Sequence, residues 1–143
     1  MVPAETTERE NTMTTEDQNN EGTGKRTLTQ ADLRQFTGTE TWFRHALVRG
    51  VLYTEGVQYV AETAGAYWLL DEIAFAQRGD RRLAGEEFQL WILRVNPDQT
   101  ASLTCEDGNG KELLQKRLDY TDFPLPEISF YFTNGVILLP SEY

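Results

Sequence analysis

The chain has one cysteine, Cys105, and one histidine, His45, among its 143 residues. A single cysteine excludes an intrachain disulfide, and with it the stapled scaffolds of small secreted domains. One cysteine and one histidine also provide no pair at metal-ligand spacing, so the residues give no reason to expect a metal or other cofactor. Basic residues are scarce as well. Thirteen Lys and Arg stand against 23 Asp and Glu, for a formal net charge of −10 and a sequence pI near 4.5. Affinity for nucleic acid comes largely from cations that neutralise phosphates, so direct binding to nucleic acid or to an anionic membrane is not expected. Long apolar runs are missing: the stretches 65–70 and 136–140 fall far short of the roughly 20 residues that span a bilayer. The N-terminus carries Glu5, Glu8 and Glu10 where a secretory leader would have a basic and then an apolar segment, so the expectation is a cytoplasmic protein. A phosphate-binding loop is also wanting, because Gly108 and Gly110 lie in a turn between strands and open no helix.

What is present is enough to build one core. Apolar residues make up 39% of the chain and include seven Phe, six Tyr and three Trp. Such side chains can bury a substantial area, and the length fits a single domain. Residues 1–26 are an exception. They are rich in Thr, Glu, Asn and Gln, with Val2 and Met13 almost alone as large apolar side chains. That composition cannot offset the entropy of ordering, so a disordered acidic and polar tail is expected over 1–26 and one domain over 27–143.

The domain opens with a short helix over 28–36, where Thr29 is placed to cap, Asp32 adds an acid to the first turn, and Gly38 stops the helix. Residues 42–53 are rich in strand formers but interrupted by Arg44, His45, Arg49 and Gly50, which predicts an irregular strand. Glu55-Gly56 reads as a tight turn. Residues 57–63 then fit either a returning strand or a short helix. The clearest helix runs over 66–77, since Ala66, Leu69, Leu70 and Ile73 recur at helical spacing with Ala74 beside them. Beyond it, Phe88, Leu90 and Ile92 alternate with Glu87, Gln89 and Trp91 over 87–95, which predicts a strand. Further strands follow over 100–105 and 111–120, separated by the turn formers 96–99 and 107–110. The segment 128–139 reads as a hairpin around Asn134-Gly135. The fold class expected is α+β, an antiparallel sheet of about five to seven strands with one long and one short helix packed on one face.

Catalytic constellations are thin. His45 and Cys105 are one possible base and nucleophile, with Asp71 or Glu62 to orient the imidazole. The plainer reading makes Cys105 a small buried hydrophobe on its strand and His45 a surface or edge residue beside Arg44. The doublets Asp71-Glu72, Glu86-Glu87 and Glu106-Asp107 fit solvated faces better than paired catalytic acids, because adjacent residues point apart. Two aromatic features invite a partner. Trp68 and Phe75, seven apart on the long helix, share a side with Asp71 and Glu72 away from the apolar stripe. Trp91 lies on the strand face opposite Phe88, Leu90 and Ile92, so either both faces of the sheet are covered or one offers aromatic area. Trp68, Asp71, Glu72, Phe75 and Trp91 are therefore the candidate partner-binding residues, and Arg44, His45, Tyr53 and Tyr67 the candidate pocket.

Several segments, among them Leu28 to Leu33, Gln35 to Glu40, Leu52 to Val57, Ala64 to Asp71, Leu103 to Asn109, Tyr120 to Leu125 and Leu139 to Tyr143, resemble a domain-of-unknown-function family of small bacterial proteins found in cyanobacteria and on plasmids and phages. The resemblance implies a mobile-element setting, in which small acidic proteins act by binding host or competitor machinery. It carries no catalytic residues. The function expected is a non-enzymatic protein-binding, accessory or inhibitor protein acting on a protein partner or by self-association. The alternatives are a small-ligand-binding protein, or an enzyme using His45 and nearby carboxylates.

Overall fold

The structure, a computed structural model, describes residues 27–37 and 41–143. The tail expected over 1–26 and the helix stop expected at Gly38 lie outside the described residues. Helix α1 (Gln30–Arg34) begins at Thr29, whose hydroxyl accepts from the Asp32 N–H at 3.2 Å while the Thr29 N–H donates to the Asp32 carboxylate at 3.0 Å. This reciprocal capping box satisfies two of the donors that a helix start leaves unpaired.

The segment expected to be one irregular strand folds as two. Strands β1 (Trp42–Arg44) and β2 (Leu52–Thr54) pair antiparallel around loop 45–51. Glu55-Gly56 is not a turn but the start of helix α2 (Glu55–Ala64), so residues 57–63 are helical. Thr54 caps this helix from its N-terminus, Gly65 ends it in the left-handed conformation, and Val57, Val60, Ala61 and Ala64 form its buried side. Helix α3 (Tyr67–Gly79) buries Leu69, Leu70, Ile73 and Ala74, the stripe its periodicity predicts.

Strands β3 (Phe88–Val95), β4 (Ala101–Glu106), β5 (Glu112–Leu118), β6 (Glu127–Thr133) and β7 (Val136–Leu138) complete one seven-stranded sheet of order β1-β2-β7-β6-β3-β4-β5. All neighbours pair antiparallel except β2 and β7, which run parallel, so the sheet is mixed though mostly antiparallel. Asn134 (φ 54°) and Gly135 (φ 78°) form the two-residue β6–β7 turn, whose positive φ angles suit the twist of a hairpin.

Register decides which face is which. Trp91 stands opposite Cys105 on β4 and Phe130 on β6, and Leu93 opposite Leu103 and Ile128. All six are buried in the core shared with α2 and α3. The helices therefore pack onto the Trp91 face. Phe88, Leu90 and Ile92 occupy the other face, where Phe88, Tyr131 and Tyr143 form a triangle of rings with centroids 5.0 to 5.7 Å apart.

Candidate functional site

His45 is buried, only 6% exposed, and is not the surface or edge residue expected beside Arg44. Its Nδ1 accepts the N–H groups of Leu47 at 3.1 Å and Val48 at 3.0 Å. Those donors put the ring proton on Nε2, which donates to Asp71 Oδ1 at 2.8 Å. The Phe75 ring stands edge-on to the imidazole at 6.0 Å. Of the two carboxylates the sequence offered for orienting the imidazole, Asp71 and Glu62, Asp71 is the one His45 meets. With both nitrogens committed, however, the imidazole keeps no lone pair for abstracting a proton. Its role is to lock loop 45–51 against α3.

Cys105 does not meet His45. Its Sγ lies 3.9 Å from Gln89 Oε1, inside the sheet–helix core. Burial, followed by the nearby carboxylates of Glu86, Asp80 and Glu106, pushes the thiol up to about 12. A thiol so rarely ionised is a poor nucleophile. The same Gln89 oxygen accepts from Trp91 Nε1 at 2.9 Å and from Gln77 Nε2 at 2.7 Å, while the Gln89 amide donates back to Gln77 Oε1 at 3.0 Å. This closed network ties α3 to β3 and satisfies the buried Gln89 side chain.

The open side of α3 forms a groove with β5. Its volume is about 420 Å³, and Trp91, Leu103 and Leu114 floor it. Phe75, 48% exposed, is its large apolar wall. Two ion pairs rim it. Lys116 Nζ reaches both oxygens of Glu72 at 2.9 and 2.8 Å, and the Arg82 guanidinium grips Asp80. The second pair, through the Arg82 hydrogen bonds above all, holds the Asp80 carboxyl down at about 2.

The five candidate partner residues thus separate. Glu72, Phe75 and Trp91 converge on the groove, Trp91 only as its buried floor at 1% exposure. Asp71 turns to His45, and Trp68 lies half-buried beside Leu118, Tyr120, Thr121 and Asp122. The four candidate pocket residues separate as well. Arg44 and His45 line a cleft of about 790 Å³ with Ala46, Leu47, Arg49, Gly50 and Leu52. Tyr53 and Tyr67 are not among the residues lining it; they stand ring to ring at 6.5 Å, and the Tyr67 hydroxyl donates to Glu62 at 2.6 Å. Burial first, then Glu62, raises both phenols above their ordinary value.

Sequence reasoning missed the C-terminal residues. The Glu142 carboxylate accepts from the Thr54 hydroxyl at 2.6 Å, the Gly56 N–H at 3.2 Å and the Leu139 N–H at 2.9 Å, so it closes the N-terminus of α2. An acid following Pro140 in a terminal segment was the available signal, but two of its three partners, Thr54 and Gly56, lie more than eighty residues away.

Among the described residues no helix is long and apolar enough to cross a membrane, and no cluster of three or more His, Cys, Asp or Glu is placed to hold a metal ion. Neither the curated proteins nor the solved structures compared contain a match to this chain. Residues 27–143, which take in every described residue, match the family of unknown function DUF6876, and the chain belongs to that family.

Proposed function

We propose that this is a non-enzymatic protein-binding module whose α3–β5 groove takes an extended segment of a partner protein. The observation that carries the reading is the composition of the groove: an exposed Phe75 over an apolar floor, inside a rim of two ion pairs. An apolar centre within a polar rim is how protein recognition sites are built. Strand β5 supports the extended form of the occupant. It is a terminal strand of the sheet, seven residues long, with its outer backbone edge unpaired by any other strand among the described residues. A peptide added there gains main-chain hydrogen bonds, and alternate side chains enter the groove. The side chains that would serve catalysis support the same reading, since His45 and Cys105 are both engaged in holding the fold together. A binder of this kind suits the mobile-element setting that the family resemblance implies.

The test is selection from a random peptide display library on the full chain, followed by affinity measurement on variants. Peptides selected on the wild type are expected to lose about tenfold or more on Phe75→Ala, as at an interface hot spot, and to weaken on Lys116→Glu. Selected peptides indifferent to both substitutions, or a library that yields no binder, would overturn the proposal. Sedimentation of the same variants shows whether the occupant is instead a second copy: a wild-type dimer that Phe75→Ala dissociates.

A further inference from the structure

We infer that the cleft formed by loop 45–51 is a second and separate binding site, suited to a short acidic segment of a partner protein with apolar residues between its carboxylates. The loop is held rigid from both ends. His45 Nδ1 takes the Leu47 and Val48 N–H groups, the His45 N–H donates to the Val51 carbonyl at 2.8 Å, and the Leu52 N–H donates to Gly135 at 2.8 Å. The cleft is therefore formed before any ligand arrives, which reduces the entropy lost on binding.

Its charge is opposite to that of the protein. Arg44 and Arg49 both line the cleft and are exposed. Neither guanidinium makes an ion pair among the described residues, whereas Arg82, Arg94 and Lys116 each hold a carboxylate. The backbone N–H groups of Ala46, Arg49 and Gly50 are likewise without a partner among the described residues and are available to carboxylate oxygens. Apolar surface adjoins these donors. Leu47 is 69% exposed within the loop, and Trp42, 54% exposed, stands two residues before Arg44 and so on the same side of β1. Strand β1 is the other terminal strand of the sheet, so an extended segment can add backbone bonds along it.

The surrounding charge selects a short ligand. Residues 28–143 carry 17 acids and 10 bases, so the domain as a whole repels anions. At physiological salt that repulsion is screened beyond about 8 Å. A segment with two or three carboxylates meets mainly the two arginines, whereas a long polyanion runs out over acidic surface. The exposed Trp42 and Leu47 add a contact that a bare phosphate cannot use.

The test is a titration of the full chain with a capped hexapeptide of alternating Glu and Leu, followed by amide chemical shifts. Saturable binding in the range of about 0.1–1 mM is expected, with shifts at Leu47, Arg49 and Gly50 and weakening as salt rises. Arg44→Glu and Arg49→Glu are each expected to weaken it about tenfold, and Trp42→Ala measurably. All three substitutions are at exposed positions and are expected to leave the rest of the spectrum unchanged. Lys116→Glu, in the other groove, is expected to leave this affinity unchanged while weakening groove ligands, so the two sites stand or fall separately. Three results would overturn the inference: no saturable shift, arginine variants that bind like the wild type, or inorganic phosphate binding the same amides as tightly as the peptide.

Discussion

Replacing Gly56 with alanine ordinarily stabilises a helix, by about 0.5–1 kcal/mol, because glycine loses the most backbone freedom on folding. In this protein the sign is expected to invert. A Cβ at position 56 would sit 2.8 Å from Glu142 Oε2 and 2.9 Å from both Cδ and Oε1, closer than atoms pack. Either the helix start or the carboxylate must move, and the carboxylate is the softer of the two. Its displacement forfeits bonds from the Thr54 hydroxyl, the Gly56 N–H and the Leu139 N–H. Hydrogen bonds to a charged group contribute about 1.5–3 kcal/mol when buried, less when partly exposed, and a carboxylate at a helix N-terminus adds about 0.3–1 kcal/mol. Allowing for the partial exposure of Glu142 and for the helix gain, Gly56→Ala is expected to cost about 1–3 kcal/mol net. The decisive assay is a double-mutant cycle with Glu142→Ala, measured by urea unfolding. With the carboxylate gone the clash goes too, and Gly56→Ala should become neutral or stabilising, giving a coupling of about 2–3 kcal/mol. A Gly56→Ala that stabilises the protein in the presence of Glu142 would refute the assignment of Glu142 to this helix end.

Three further outcomes are expected. His45→Phe keeps the ring volume but leaves the Leu47 and Val48 N–H groups without their acceptor, and it should destabilise the fold by about 2–4 kcal/mol; a change under about 0.5 kcal/mol would show that loop 45–51 does not depend on the imidazole. Cys105, ionised in roughly one molecule per thousand at pH 9 if its thiol titrates near 12, should react with iodoacetamide only as fast as the protein unfolds. Because the folded-state value lies above the unfolded one near 9, the stability this thiol contributes is fully present below pH 9 and is lost as pH rises towards 12; rapid stoichiometric labelling of the native chain would contradict its burial. Trp68→Ala should cost about 1.5–3 kcal/mol in thermal or urea unfolding, less than a fully buried tryptophan, since the chain covers only part of the ring; a loss of association without loss of stability would return Trp68 to the partner surface.

The second half of the fold was legible because its signals are local. Alternation over 88–95 and 101–105, turn formers between the strands, and Asn134-Gly135 each act within a few residues, and the β3-β4-β5 meander and the β6–β7 hairpin follow from them. Thr29 and Asp32 announced α1 for the same reason. Helix α2 was obscured because Glu55-Gly56 has turn chemistry, and the group that makes glycine useful there, the Glu142 carboxylate, approaches from the far end of the chain. His45 was misplaced for a similar cause. The carboxylate that receives its ring proton is 26 residues on, and the other ring nitrogen accepts from backbone N–H groups that no side-chain pattern records. The return of β6 to pair with β3 and the parallel pairing of β2 with β7 are likewise invisible to periodicity, the latter because it joins segments separated by α2, α3 and strands β3 to β6.

Trp68 and Phe75 show where helical spacing stops being informative. Seven residues apart, they lie on nearly the same side of α3, and periodicity treats them alike. What distinguishes them is the part of β5 and its continuation that each one meets. At the Trp68 end the chain leaves β5 and passes Leu118, Tyr120, Thr121 and Asp122 beside the indole, so the ring is half-buried. Two turns further along, Phe75 faces Leu114, Gln115 and Lys116. There Lys116 pairs with Glu72, and the phenyl ring of Phe75 is about half exposed. One stripe of residues thus serves packing at one end and exposes an apolar surface at the other. The open end carries an ion pair between a helix and a strand 44 residues apart in sequence. The Glu72–Lys116 contact thus borders the exposed Phe75 ring, so a charge reversal at Lys116 probes the polar rim of the groove as removal of the ring probes its apolar wall.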